Sequence, residues 1–73
     1  MRKKFSLVGV DGNAFSIMAY VRTAMREAGF SRKEIDEHLK DCIGGNYDRL
    51  ISLNVEMIER CNRRLGFRKT NNG

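Results

Sequence analysis

The stretch GFSRKE, Gly29 to Glu34, decides how this chain folds, because it ends one helix and begins the next. Gly29 follows a segment with helical apolar periodicity, and glycine readily takes the left-handed conformation that closes a helix. Ser31 and Glu34 have the spacing of a capping box, in which each side chain accepts a hydrogen bond from the other residue's backbone N–H. Phe30 and Ile35 flank the cap as a hydrophobic staple. The stretch therefore predicts two helices joined by a tight turn.

Upstream of this turn, the sequence predicts a helix that begins after DGN, residues 11–13. Asn13 is suited to cap it, because its side-chain oxygen can accept a hydrogen bond from a free N–H of the first turn. We therefore interpret Asp11-Gly12-Asn13 as a turn and cap; the alternative is a β-hairpin with AFSIMAYV, residues 14–21, as the returning strand. Phe15 and Ile17 flank the apolar face of this helix. The residues of that face recur at helical spacing: Ala14, Met18, Val21, Met25 and Ala28.

Downstream of the turn, the sequence predicts two more helices. The helix after Ser31 has a narrow apolar stripe, formed by Ile35, Leu39 and either Cys42 or Ile43. We therefore expect a surface helix with one buried edge. Gly44-Gly45 ends it, and Asn46 caps a third helix that runs from Tyr47 to about Leu65. A broad apolar face marks this third helix as central to the core: Leu50, Ile51, Leu53, Val55, Met57, Ile58, Cys61 and Leu65.

The first apolar segment, FSLVGV at residues 5–10, predicts a short β-strand or else an extended arm over the helices. A chain of 73 residues is one domain. We therefore predict a mostly α fold, in which a short N-terminal β-strand or extended arm is followed by a three-helix bundle. The single domain, residues 1–73, is expected to have an ordered core at about 5–66 and a disordered polar tail at 67–73.

The positive charge of the chain lies at its two ends. The formal net charge is +5, yet residues 5–59 contain six basic and nine acidic residues. The other eight basic residues stand before and after this body: Arg2, Lys3, Lys4, Arg60, Arg63, Arg64, Arg68 and Lys69. The basic character therefore belongs to the termini and not to the body of the domain.

The composition argues against a metal, a cofactor and a membrane span. Cys42 and Cys61 fall on apolar helix faces, which predicts buried thiols, and with one histidine they fall short of the roughly four ligands of a metal site. No apolar run approaches the roughly 20 residues of a transmembrane helix. The basic N-terminus lacks the cleavage pattern of a signal peptide. We expect a cytoplasmic protein with no cofactor and no small-molecule substrate.

The motifs DGNAF, GFSRKEID and GGNYDRL resemble those of a group of small proteins from bacterial and phage genomes. That group has Asp-Gly-Asn-Ala before a helix, a Gly-aromatic step, an acidic helix and then Gly-Asp-Tyr-Asp-His-Leu. The similarity covers about residues 7–60, with departures at Asn46 and Arg49, where the group has Asp and His. Because the group has no assigned activity, the resemblance implies a phage or mobile-element setting and no site residue. Gly29-Phe30 is also similar to the Gly-Phe step of ubiquitin-associated three-helix domains.

The sequence does not predict an enzyme. His38 is the only histidine, and Glu34 and Asp41 share its helix face, so an acid–base cluster is one interpretation. We favour the other, a solvated helix surface, because such charge spacings are common on exposed helices. The turn at Asp11 lacks the glycine pattern and the lysine of a phosphate-binding loop.

After these exclusions two binding functions remain, and each depends on residues near one end of the chain. An unpaired N-terminal strand is expected to pair with a second copy, as a homodimer, or with a protein partner through these residues: Phe5, Leu7, Val8 and Val10. We therefore predict a protein-interaction or accessory module. The alternative is nucleic-acid binding through a C-terminal basic cluster: Arg60, Arg63, Arg64, Arg68 and Lys69. The acidic helix after Ser31 argues against docking in a major groove.

Overall fold

The computed structural model describes residues 4–67 and contains three α-helices. They are α1 (Ala14–Glu27), α2 (Arg32–Ile43) and α3 (Tyr47–Arg64), and each helix packs against the other two. The mostly α fold and the three-helix bundle expected from the sequence are confirmed. None of the helices in this part of the chain is both long enough and apolar enough to cross a bilayer.

Side-chain caps set the beginnings of all three helices where the sequence predicts them. Asn13 Oδ1 accepts a hydrogen bond from the Phe15 N–H at 2.8 Å. The capping box is formed in both directions, with Glu34 N–H donating to Ser31 Oγ at 3.1 Å and Ser31 N–H donating to Glu34 Oε1 at 2.8 Å. Asn46 caps α3 in the same manner as Asn13 caps α1. Local capping chemistry therefore fixes where each helix starts.

Left-handed glycines close α1 and α3. Gly29 has φ +87° and Gly66 has φ +98°, a region that a side chain with a Cβ resists. The N–H groups of the following residues, Phe30 and Phe67, each donate to a carbonyl five residues back, at 3.0 and 2.8 Å. Phe67, which the sequence assigned to a disordered tail, thus completes the end of α3. The rest of that tail, residues 68–73, lies outside the described residues.

The core is built from one apolar stripe of each helix. The structure decides which flanking residues are covered, and Val55, expected on the broad face of α3, is exposed. Ile17, placed beside the face of α1, is buried, whereas Phe15 is exposed. Cys42 is the buried residue of the last turn of α2, and Ile43 points to solvent. The buried apolar residues form one cluster: Ile17, Val21, Ala24, Met25, Phe30, Ile35, Cys42, Leu50, Met57, Ile58 and Cys61.

The N-terminal segment, which we call the arm, lies over the helices between residues 4 and 13. Between residues 4 and 13 the chain forms no β-strand, and Val10 N–H donates to Leu7 O at 3.1 Å to close a turn. The Phe5 ring meets the Tyr20 ring edge-on, with centroids 5.7 Å apart. Pairing of this segment with another chain stays a prediction.

The direction of the helices is set by contacts at the two ends of the bundle. At one end the Tyr47 hydroxyl donates a hydrogen bond to the Gly12 carbonyl, which joins the starts of α1 and α3. At the other end the Phe30 ring, just after α1, lies against Arg64 in the last turn of α3. The helices α1 and α3 therefore run in the same direction, and α2 returns between them.

Candidate functional site

The arm is held to the helices by its backbone. Asn62 Nδ2 donates to the Phe5 carbonyl, and the Phe5 N–H donates to Asn62 Oδ1, both at 2.9 Å. The Ser6 N–H donates to the Tyr20 hydroxyl at 2.8 Å. These groups, which the sequence left without partners, are thus satisfied inside the chain.

The side chains proposed for a dimer strand do not form a common exposed edge. Phe5, Leu7 and Val10 are half-buried against the core cluster, and Val8 is 91% exposed. A single exposed valine offers little apolar surface for a partner. The side chains of the arm therefore pack mainly within this chain, and their arrangement does not support pairing with a strand of another chain.

Replacing Asn62 with alanine is expected to release the arm. Two hydrogen bonds to a nearly buried amide are lost, so we expect the free energy of unfolding to fall by about 2 kcal/mol. Hydrogen exchange should become faster at the Phe5 amide, while exchange in α1 beyond Tyr20 changes less. Ser52→Ala, at an exposed position of the same helix, is the control and should stay within about 0.5 kcal/mol of the wild type. Unchanged exchange at Phe5 in Asn62→Ala would contradict this role.

His38 takes part in a polar contact between α2 and α3. Asn54 is fully buried, and its Nδ2 donates to the Leu50 carbonyl at 2.7 Å, which fixes the orientation of the amide. Asn54 Oδ1 lies 2.8 Å from His38 Nε2. An amide oxygen only accepts, so Nε2 carries a proton and donates it. The interpretation of His38 as a solvated surface residue is wrong, because the ring is half-buried and faces α3.

The two cysteines are buried free thiols, as the sequence predicts. Burial raises the pKa of the Cys61 thiol to about 11, and burial also raises the pKa of the Cys42 thiol. Both side chains therefore stay protonated near neutral pH, and a thiol is a weaker nucleophile and metal ligand than a thiolate. Among residues 4–67 no group of three His, Cys, Asp or Glu is placed to hold a metal ion.

Three large apolar side chains are exposed together at the end of the bundle where α1 and α3 begin. Phe15 is 81% exposed, Ile43 73% and Tyr47 50%, and we call these three residues the apolar face. They border a groove of about 250 Å³, whose nine lining residues include Met18 and Leu50. None of the nine carries a charge. The apolar face is thus a continuous uncharged surface with both projecting and recessed parts.

The turn between α2 and α3 holds the apolar face in place. Arg49 Nη1 donates to the Asp41 carbonyl at 2.7 Å, across the end of α2. A Cβ on Gly45 would lie 2.6 Å from Arg49 Cδ, so the close approach of this side chain requires glycine. Ile43 and Tyr47, on either side of the turn, are therefore kept in a fixed relation to each other.

Basic residues gather at the opposite end of the bundle. The guanidinium carbons of Arg64 and Arg60 lie 4.1 and 5.4 Å from the centre of the Phe30 ring. With Arg63, they line a concavity of about 340 Å³. We call Arg60, Arg63 and Arg64 the basic end.

The basic end contains three of the five residues that the sequence proposed for nucleic-acid contact; the other two, Arg68 and Lys69, lie outside the described residues. Carboxylates stand close to it, since Glu34, Glu37 and Asp41 line a concavity together with Arg60. The pKa of Glu34 is lowered, chiefly by the Ser31 hydrogen bonds and also by the positive charges of Arg64 and Arg60.

The chain thus presents two distinct surfaces at opposite ends of the bundle, one apolar and one basic. Tyr47 and Arg64 are the first and last residues of α3. At a rise of 1.5 Å per residue, they are about 26 Å apart along the helix axis. Searches with the chain against protein-family models, curated proteins and solved structures return no match.

Proposed function

We propose that this protein is a small protein-interaction module that forms a homodimer through the apolar face. The exposure of Phe15, Ile43 and Tyr47 in one place is the observation that carries the proposal. Single apolar side chains are common on protein surfaces, but a contiguous group that borders a groove is typical of an interaction site. Burial of these side chains against a partner would remove their unfavourable contact with water.

The apolar face is suited to a second copy of itself. In a two-fold interface the same surface meets itself, so projecting residues of one chain must fit recesses of the other. Phe15 and Ile43 are exposed and line the groove together with Leu50. The lining residues carry no charge, so two copies can meet at the groove without opposing like charges there. A groove and exposed apolar side chains on one surface therefore support a symmetric contact.

The wider setting that we propose is a bacterial mobile element or a phage. Support for it comes from the resemblance of DGNAF and GGNYDRL to small proteins of such genomes. An accessory module acting in the cytoplasm fits the two protonated buried thiols, Cys42 and Cys61, which a reducing compartment keeps free.

The expected result for Phe15→Gln is loss of dimer without loss of fold. Phe15 contributes its backbone N–H to the α1 cap, which glutamine retains, while its exposed ring is removed. Sedimentation velocity over a range of concentrations should show self-association of the wild type, with the dimer dissociation constant of the variant raised at least about tenfold, or 1.4 kcal/mol. Thermal unfolding of the two proteins should agree closely at concentrations low enough for both to be monomeric, since dimerisation itself would stabilise the wild type.

Val8→Gln is the matched control, because it removes an equally exposed apolar side chain from the arm. If the apolar face forms the interface, this variant dimerises like the wild type. If the arm forms it, as the sequence first suggested, Val8→Gln dissociates and Phe15→Gln does not. A wild type that sediments as a monomer at every concentration would refute the homodimer.

A further inference from the structure

Three arginines stand together in the last two turns of α3. Arg60, Arg63 and Arg64 line one concavity together with Phe30. Residues 5–59, by contrast, contain more acidic than basic residues. The basic end is therefore a group of like charges on a domain whose body has a net negative charge.

The arginines of the basic end are preorganised, because contacts within the protein hold them in position without a ligand. Arg60 and Arg64 stand one helical turn apart and both lie over the Phe30 ring. A guanidinium stacked on an aromatic face keeps its N–H edge available, and that edge matches the geometry of a phosphate. Ring contact also reduces the side-chain entropy that binding would otherwise cost. Arg63 completes the concavity at the same end of the helix.

We propose that the basic end binds the phosphodiester backbone of a nucleic acid, independently of the apolar face. Phosphate recognition is the chemistry that three arginines lining one concavity fit. Single-stranded and duplex nucleic acids share this backbone, and titration with each of them shows which one the protein binds. Base stacking on Phe30 is not part of the site, because the ring is buried beneath Arg60 and Arg64.

The charges around the basic end favour contact with the phosphodiester backbone and disfavour recognition of a base sequence. The helix beside the site, α2, carries Asp36, Glu37 and Asp41 in addition to Glu34. Such a helix would be repelled from the floor of a major groove, where a reading helix contacts base edges. The nucleic acid therefore lies across the end of α3, and the binding should be sensitive to salt and tolerant of base composition.

The test is fluorescence anisotropy with labelled single-stranded and duplex oligonucleotides of equal length, titrated at several salt concentrations. The wild-type chain should bind at low salt, with affinity that falls steeply as salt rises. Replacing Arg60, Arg63 and Arg64 together with glutamine should raise Kd at least about tenfold and lower the slope of log K against log salt by about 2. Arg63→Gln alone, which spares the two stacked arginines, should lower the slope by about 0.7.

The matched control removes the same number and type of charges from a neighbouring concavity. Arg22, Arg26 and Arg32 line it together with Asp36 and with the other side of Phe30. Their joint replacement with glutamine gives a variant of equal net charge, and its Kd should change less than about threefold if the basic end is the site. An equal loss in this control would overturn the assignment, as would absence of binding by the wild type at low salt. Equal binding of polyglutamate and oligonucleotide would also overturn it.

Discussion

Replacing Asn54 with alanine is expected to lower the free energy of unfolding by about 3 kcal/mol. The side chain is fully buried between α2 and α3 and fills space that no neighbour can enter without movement. Its amide donates to the Leu50 carbonyl and accepts from His38 Nε2. Alanine removes both hydrogen bonds and leaves a cavity, and each loss adds to the cost. Chemical denaturation followed by circular dichroism measures the difference.

Asn54→Leu separates the polar contribution from the packing contribution. Leucine has the branched shape and the number of heavy atoms of asparagine, with bulkier methyl groups, so it fills the cavity but offers no acceptor to His38. If the hydrogen bonds matter, Asn54→Leu remains at least about 1 kcal/mol less stable than the wild type. A double-mutant cycle with His38→Ala then gives a coupling energy for the pair. A leucine variant as stable as the wild type, with no coupling to His38, would show that Asn54 acts by volume alone.

The boundaries of the helices could be predicted because their causes are local. A cap such as Asn13, or the reciprocal pair Ser31 and Glu34, acts over two or three residues and is visible in the sequence. Gly29 ends α1 for a reason that depends on its own backbone alone. The chain carries such signals at every helix start, so the three-helix pattern followed from them.

The polar contacts of the core could not be predicted in the same way. His38 and Asn54 are 16 residues apart, and Phe5 and Asn62 are 57 apart. Which polar residues meet depends on how helices and arm pack, and nothing local encodes that. One signal was present: Asn54 stands four residues from both Leu50 and Ile58, inside an apolar stripe. A polar residue in that position is either buried with a partner or interrupts the core.

The apolar face was missed for the opposite reason. Helical periodicity assigned Phe15 and Ile43 to the neighbourhood of the core, because apolar residues at helix ends match the stripe nearly as well as those in the middle. In the structure the buried residues of α1 are Ile17, Val21, Ala24 and Met25, and Phe15 lies off this stripe and is exposed. Ile43 follows the buried Cys42 by one residue and is likewise exposed. Periodicity placed flanking residues on both sides of a stripe and did not determine which of them is covered.

Replacing Phe30 with alanine is expected to have the largest effect of any single change considered, about 4 kcal/mol of stability. The ring is buried where α1 ends and α2 begins, and it belongs to the core cluster with Met25 and Ile35. Its removal leaves a large cavity at a junction that all three helices share. Urea denaturation should show a lower midpoint with a similar slope, since the helices themselves are unchanged.

Phe30→Leu tests whether the ring has a second role in holding the arginines. Leucine restores most of the apolar packing, so about 1 kcal/mol of the loss should remain. Part of that remainder comes from the lost contacts of Arg60 and Arg64 with the aromatic face, worth about 0.5 kcal/mol or more each. The same substitution should therefore cost less in a chain whose two arginines are already glutamine. An equal cost in both backgrounds would mean that the guanidinium groups contact the ring without stabilising the fold.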